Sequence, residues 1–239
     1  MITIEARPEP VSIDPARAAV LVVDMQNDFG AVGGMFQRAG IDISGITAAA
    51  SATRSLLEAA REVGIPVVYL RMEHEPDLSD IGPTDGPHWI KHGPDGVGDT
   101  VTAPDGSQSR ILVRGTWNSE ILDELSPEPG DRVVSKHRYS GFFETELDDV
   151  LRGLGATHLL VTGCTTSVCV ESTVRDAMFR NYHCIVLEDC TAEPIGQGLP
   201  RSNKEASLLV IETRFGWVSN ASAVGDSLAE YAATLTQSR

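Results

Sequence analysis

Ala18-Ala19-Val20-Leu21-Val22-Val23 is six apolar residues in a row, with no polar residue alternating between them. A strand with one wet face alternates. An unbroken run is covered on both sides, as in the middle of a parallel sheet packed between helices. Further strand-like segments follow at 65–71, 131–136, 159–161, 183–187 and 215–218. Helical patterns separate them at 46–63, 118–125, 145–154, 168–181, 202–213 and 225–235, so strand and helix alternate along the chain. That order predicts one doubly wound α/β domain over residues 1–239, with no linker and no internal repeat. Residues 1–17 read as an irregular lead-in, and Gly30, Gly33, Gly34 and Gly40 as a loop without dinucleotide-binding spacing. Periodicity fails from 73 to 110, where Gly82-Pro83, Gly86-Pro87 and Gly93-Pro94 are turn formers. An excursion of that length is expected to act as a lid or a binding wall.

Composition narrows the function classes. A formal charge of −15 sets the overall field against nucleic acid and anionic membranes. With 41% hydrophobic and 22% charged residues the chain is ordinary for a globular enzyme. Cys164, Cys169, Cys184 and Cys190 show no zinc-knuckle spacing, and a chain this long needs no disulfide staples. The N-terminus lacks a basic segment followed by an apolar run, and no apolar stretch reaches membrane-spanning length. The expectation is a soluble cytoplasmic protein acting on a small molecule.

In a parallel sheet every strand ends on the same side, and ligands gather there. The first strand ends at Asp24. The third, Asp131-Arg132-Val133-Val134-Ser135-Lys136, ends at Lys136. The fourth runs through a small-residue turn into a helical pattern with Cys169 in its first turn. Taken singly, these are a turn-capping aspartate, a solvated lysine and a buried thiol. Together they are a base, a charge-stabilising ammonium and a nucleophile. The N–H groups of the turn from Gly163 to Cys169 could hold an oxyanion, and the helix start favours a thiolate. His137 is the nearest alternative base. Cys184 reads as core, and Cys190 as lying near the ligand edge without a helix start to activate it. His88 and His92 are four apart, yet Pro87 and Gly93 confine any helix there and no third ligand is evident, so no metal is expected. Trp89 is a candidate for the substrate wall.

Leu21-Val22-Val23-Asp24-Met25-Gln26-Asn27, Lys136-His137-Arg138-Tyr139-Ser140-Gly141-Phe142-Phe143, Gly163-Cys164-Thr165-Thr166-Ser167-Val168-Cys169-Val170-Glu171-Ser172-Thr173 and Phe215-Gly216-Trp217-Val218 together resemble the isochorismatase-like cysteine hydrolases. Among them the similarity is greatest to the ureidoacrylate amidohydrolases of pyrimidine degradation, and it runs over nearly the whole chain. The resemblance implies a Rossmann-like three-layer domain with a six-stranded, mostly parallel sheet. It implies catalysis by Asp24, Lys136 and Cys169, and an oxyanion hole from the backbone N–H groups of Thr165 and Cys169. A cis peptide between Cys164 and Thr165 would orient the first of these. It also implies a homo-oligomer and no cofactor. The expected substrate-contacting residues are Gln26, Phe29, Trp89, Tyr139 and Phe142.

The departures concern substrate. Nicotinamidases of the same superfamily carry an Asp-x-His metal segment where this chain reads Arg71-Met72-Glu73-His74-Glu75. Residues 73–115 differ from the ureidoacrylate enzymes in length and content. Biuret or another small urea derivative is therefore the alternative substrate, with a metal-dependent nicotinamidase and a non-catalytic binding module as further alternatives. A substrate carboxylate would need a cation, and Arg71, Arg114, Arg138 and Arg214 are the candidates.

Overall fold

The computed structural model describes residues 1–195 and 203–237. In chain order its strands are β1 (Ile2–Ile4), β2 (Val11–Ile13), β3 (Ala18–Val23), β4 (Val67–Met72), β5 (Thr100–Thr102), β6 (Gln108–Arg110), β7 (Arg132–Lys136), β8 (His158–Cys164), β9 (His183–Ala192) and β10 (Gly216–Ser219). The α-helices are α1 (Asn27–Gly30), α2 (Met35–Arg38), α3 (Ser44–Glu62), α4 (Pro87–His92), α5 (Leu147–Gly153), α6 (Glu171–Phe179), α7 (Asn203–Val210) and α8 (Ala221–Gln237). π-helical turns at Thr166–Val170 and Ile211–Phe215 lead into α6 and β10.

Six strands form one parallel sheet in the order β10-β9-β8-β3-β4-β7. All six residues of β3 are buried, as an apolar run without alternation requires. Its even-numbered residues Val20 and Val22 pack with α3 and α8, and its odd-numbered residues Ala19, Leu21 and Val23 pack with α5, α6 and α7. Helix α3 shows why its sequence is helical. Ile46, Ala49, Ala50, Thr53, Leu56, Leu57 and Ala60 repeat every three or four residues and form its buried face. Asp42 just before it accepts a hydrogen bond from the Ser44 N–H at 2.9 Å, satisfying one of the free donors of its first turn.

From β3 the chain steps through β4 to β7 on one side, then returns to β8 on the other. The reversal lies between β3 and β8, and a crevice opens beyond the strand ends at such a point. Gly163 allows the close approach there. Its φ is +121°, and a Cβ would lie 2.0 Å from the Val23 carbonyl oxygen.

Several expectations for the fold are corrected. The helix expected at 118–125 is two 3-10 turns, Trp117–Ser119 and Asp123–Leu125, with Ile121 between them bridged to Gln26. The lead-in is a two-stranded antiparallel hairpin, pairing Ile2 with Ile13 and Ile4 with Val11. The glycine loop of 30–40 holds the short helices α1 and α2, and the excursion after β4 contains α4 and the β5–β6 hairpin. Strand β9 continues to Ala192, so Cys190 is a fully buried strand residue. Cys184 is core as expected. No helix among the described residues is long and apolar enough to cross a membrane.

Candidate active site

Asp24 follows β3 directly and has left-handed backbone, φ 52°. Its N–H donates to the Leu70 carbonyl on β4 at 3.0 Å. Lys136 closes β7, two strands away, so its backbone lies roughly 10 Å across the sheet from that of Asp24. A lysine is long enough to span that gap. Its side chain crosses the end of β4, passing Met72 Sδ at 3.6 Å, and places Nζ 2.7 Å from Asp24 Oδ2. The Nζ also donates to the Arg138 carbonyl at 3.1 Å. Cys169 approaches from the other side, on the π-turn after β8, and its thiol interacts directly with both Asp24 and Lys136. Three residues spread over 145 positions of sequence thus meet in one buried cluster.

Burial governs the electrostatics. It raises the proton affinity of the Asp24 carboxyl above the ordinary carboxylate range, against the pull of Lys136. Burial works against the Lys136 ammonium, but the adjacent Asp24 carboxylate and the hydrogen-bonding Cys169 outweigh it and hold the proton more firmly than usual. The Cys169 thiol is pushed well above the usual thiol range by burial, with Lys136 opposing and Asp24 reinforcing the shift. This corrects the expectation that the helix start would favour a thiolate: desolvation of a buried sulfur exceeds what a helix terminus supplies. The resting group is a thiol beside an acceptor for its proton.

The peptide between Cys164 and Thr165 is cis. The Thr165 carbonyl accepts from the N–H groups of Val168 and Val170, both at 3.2 Å, which folds the turn tightly. Glu193 on the far side accepts from the Ser167 N–H at 2.6 Å. Cys164 Sγ contacts the Asp24 carbonyl at 3.2 Å and ties β8 to the end of β3.

A cavity of about 260 Å³ opens onto Cys169. Phe29, Tyr139, Thr165 and Cys169 line it, with Met35, Phe36 and Met72 supplying apolar wall. Three of the expected substrate contacts lie elsewhere. Gln26 is fully buried and its amide is spent: Nε2 donates to the carbonyls of Met72 and Ser119, both at 2.9 Å, and Oε1 accepts from the Met72 N–H at 2.7 Å. Trp89 packs against the core on the α3 side of the sheet. Phe142 is core as well, stacked on Tyr182 with the Arg180 guanidinium 4.8 Å from its ring centre.

None of the four candidate arginines lines the cavity. Arg71 and Arg114 pair with the buried Glu73 at 3.0 and 3.2 Å. Arg138 donates to the carbonyls of Asp80 and His137. Arg214 lines a separate surface groove with Phe215 and Trp217. Among the described lining residues, Lys91 is the one lysine or arginine.

Two further groups escaped the sequence reading. Asp28 is buried and accepts from the N–H groups of Met35 at 2.9 Å and Leu112 at 2.7 Å, and from the Asn118 amide. It lies four residues after Asp24, and nothing in its sequence spacing marks it as a buried tie. The fold also gives His88 and His92 a third neighbour, His74, which spacing alone could not supply. Burial lowers His74 to about 4 even with Asp80 beside it, and lowers His88 to about 4, so both rings are neutral at pH 7.

A parallel α/β sheet with a carboxylate, an ammonium and a thiol meeting above its strand ends defines the class: an α/β protein arranged for cysteine chemistry. Residues 18–223 match the isochorismatase domain, and the chain belongs to that family. It is 42% identical over 218 residues to the ureidoacrylate amidohydrolase RutB of Caulobacter segnis, covering 91% of this chain and 88% of that one. The structure of a cysteine hydrolase from Pseudomonas syringae pv. phaseolicola superposes with a TM-score of 0.75 at 31% identity, covering 92% of this chain and 95% of that one. The N-carbamoylsarcosine amidase of Thermoplasma acidophilum superposes with a TM-score of 0.63 at 28% identity, covering 86% and 96%.

Proposed function

We propose that this chain, an amidohydrolase of the isochorismatase family, hydrolyses the ureido C–N bond of ureidoacrylate, a step of pyrimidine degradation, using Asp24, Lys136 and Cys169. The observation that carries the reading is the 2.7 Å contact between Lys136 and Asp24, with Cys169 against both at the cavity wall. Asp24 accepts the Cys169 proton as sulfur attacks the ureido carbonyl carbon. The carbonyl electrons move to oxygen, where the N–H groups of Thr165 and Cys169 receive the negative charge. The tetrahedral species collapses, the C–N bond breaks, and the amine leaves with the proton returned from Asp24. Water, deprotonated by the same carboxylate, then attacks the carbamoyl thioester and releases carbamate and the Cys169 thiol. Lys136 keeps its positive charge throughout and offsets whichever of Asp24 or sulfur is anionic. Phe29 and Tyr139 flank the substrate.

A second reading is favoured by the lack of arginine in the described cavity wall. A neutral urea derivative such as biuret needs no cation, whereas the carboxylate of ureidoacrylate would rest on Lys91. A product-release screen over ureidoacrylate, biuret, N-carbamoyl amino acids and nicotinamide tests the choice. The proposal expects the highest kcat/KM on ureidoacrylate, with KM rising in Lys91→Met. Turnover of biuret alone, indifferent to Lys91, would replace ureidoacrylate with the neutral substrate.

A further inference from the structure

The turn that carries Cys169 is held from outside. The first N–H groups of a helix have no partner within it, and the Thr165 side chain, at the capping position, supplies none. Glu193 supplies one from the neighbouring strand. Its Oε2 accepts the Ser167 N–H at 2.6 Å, and its Oε1 accepts the Ile195 N–H at 3.1 Å. Strand register explains the reach. β9 pairs with β8 as far as Val161 and Val186, then sets residues 187–190 against Thr162 alone before pairing resumes at Gly163 with Thr191 and Cys164 with Ala192. This bulge leaves Glu193 one residue beyond the last pair, as Thr165 is.

The segment bearing Glu193 is itself fixed. From α7, Lys204 Nζ donates to the Thr191 carbonyl at 2.7 Å, and Asn203 Nδ2 to the Ile195 carbonyl at 3.2 Å. Ile195 lines the cavity with Thr165, Val168 and Cys169. One carboxylate therefore joins two parts of the cavity wall. Within the turn, the N–H groups of Val168 and Val170 are spent on the Thr165 carbonyl, and that of Ser167 on Glu193. Ser167 lies midway in sequence between Thr165 and Cys169, the two residues assigned to the oxyanion.

We propose that Glu193 is a positioning residue: by holding the Ser167 N–H it sets the turn so that the N–H groups of Thr165 and Cys169 face the developing oxyanion. It touches no reacting atom and moves no proton. This role rests on the acyl-transfer reading above. A carboxylate suits the task, because a hydrogen bond to an ionised acceptor is about twice as strong as a neutral one, and negative charge is favoured at a helix start. Precision matters there, since misplacing a reacting group by about 1 Å can cost roughly 100-fold in rate.

The test compares Glu193→Ala and Glu193→Gln with the native chain. Hydrogen exchange read by mass spectrometry should show residues 165–170 exchanging faster in Glu193→Ala, with β3 and β4 unchanged. On the better substrate of ureidoacrylate and biuret, kcat should fall roughly 100-fold in Glu193→Ala while KM stays within about threefold. Glu193→Gln, whose amide oxygen can still accept from Ser167, should lose less than about tenfold. Alkylation of Cys169 by iodoacetamide forms an S–C bond, expels iodide and creates no oxyanion, so its rate should stay within about twofold in both variants. Unchanged exchange at 165–170, or native kcat in Glu193→Ala, would overturn the proposal. Equal losses of kcat and of alkylation rate would overturn it too, because the damage would then lie at the thiol and not at the oxyanion. Native turnover by Cys169→Ala would instead sink the acyl-transfer reading, and exchange at 165–170 would still decide whether Glu193 braces the turn.

Discussion

In the proposed mechanism the chemistry turns on Asp24, which alternates between holding a proton and giving it up. Burial makes the carboxylate a stronger base than one in water, and Lys136 at 2.7 Å keeps it from becoming permanently protonated. The sign of the pH dependence follows. Asp24 accepts a proton only when ionised, so activity falls as the pH drops through its raised value, above the ordinary carboxylate pKa of about 3.9. On the alkaline side an ordinary thiol would ionise near 8.5, but Cys169 is pushed well above that and Lys136 retains its charge. The log kcat/KM profile should therefore show its acid limb displaced upward and no inflection near 8.5. Asp24→Asn should lower kcat by roughly 100- to 10,000-fold, the range expected for loss of a general base, and should remove the acid limb. An acid limb that persists in that variant would assign it to another group. The convergence of Asp24, Lys136 and Cys169 was legible in the sequence because each lies at or within a few residues of the C-terminal end of a strand that the sequence pattern marks. Gln26, Trp89 and Phe142 were misread because proximity in sequence to those ends does not determine side-chain direction. A glutamine two residues past a strand can face the cavity or, as here, bond both ways to the backbone of Met72.

At the scale of elements, strand order carries the site. Lys136 reaches Asp24 only because β4 alone separates β7 from β3, and Cys169 only because β8 flanks β3 on the other side. The loops beyond these ends are held by buried polar ties. Asp28 binds α2, the segment at Leu112 and Asn118 with one carboxylate. Asp28→Ala would leave those donors buried and unpaired, at about 1–3 kcal/mol for each group not reached by water. A loss of about 3 kcal/mol or more in urea unfolding is expected, together with reduced activity, since Phe29 lies next in sequence. A loss under about 0.5 kcal/mol, within the surface-substitution range, would show the tie to be dispensable. Long buried strands and the α3 face were readable because their periods persist over many residues. The β1–β2 hairpin was missed because each strand has three residues, although Ile2-x-Ile4 and Val11-x-Ile13 already alternate. The excursion after β4 was recognised as irregular, but its turn formers concealed α4, and with it the approach of His88 and His92 to His74.

For the whole molecule, the resemblance to isochorismatase-like enzymes implies self-association. The surface offers a place for it at the end of the sheet opposite Cys169. Met178, Phe215 and Trp217 line a groove there, and Phe179 beside them is 67% exposed. Light scattering coupled to size exclusion is expected to give an integral multiple of the chain mass, and Phe179→Glu is expected to lower it. A monomer at micromolar concentration would contradict the expectation. A formal charge of −15 makes the cations near the cavity matter more to an anionic substrate.

The account depends on sulfur at position 169 carrying the acyl group. The most direct measurement compares kcat on ureidoacrylate for the native chain and for Cys169→Ala, with circular dichroism matched between them. The account predicts a fall of at least roughly 10,000-fold, as expected when a covalent nucleophile is removed. Turnover within about tenfold of the native rate would contradict it, because water activated by Asp24 alone would then suffice.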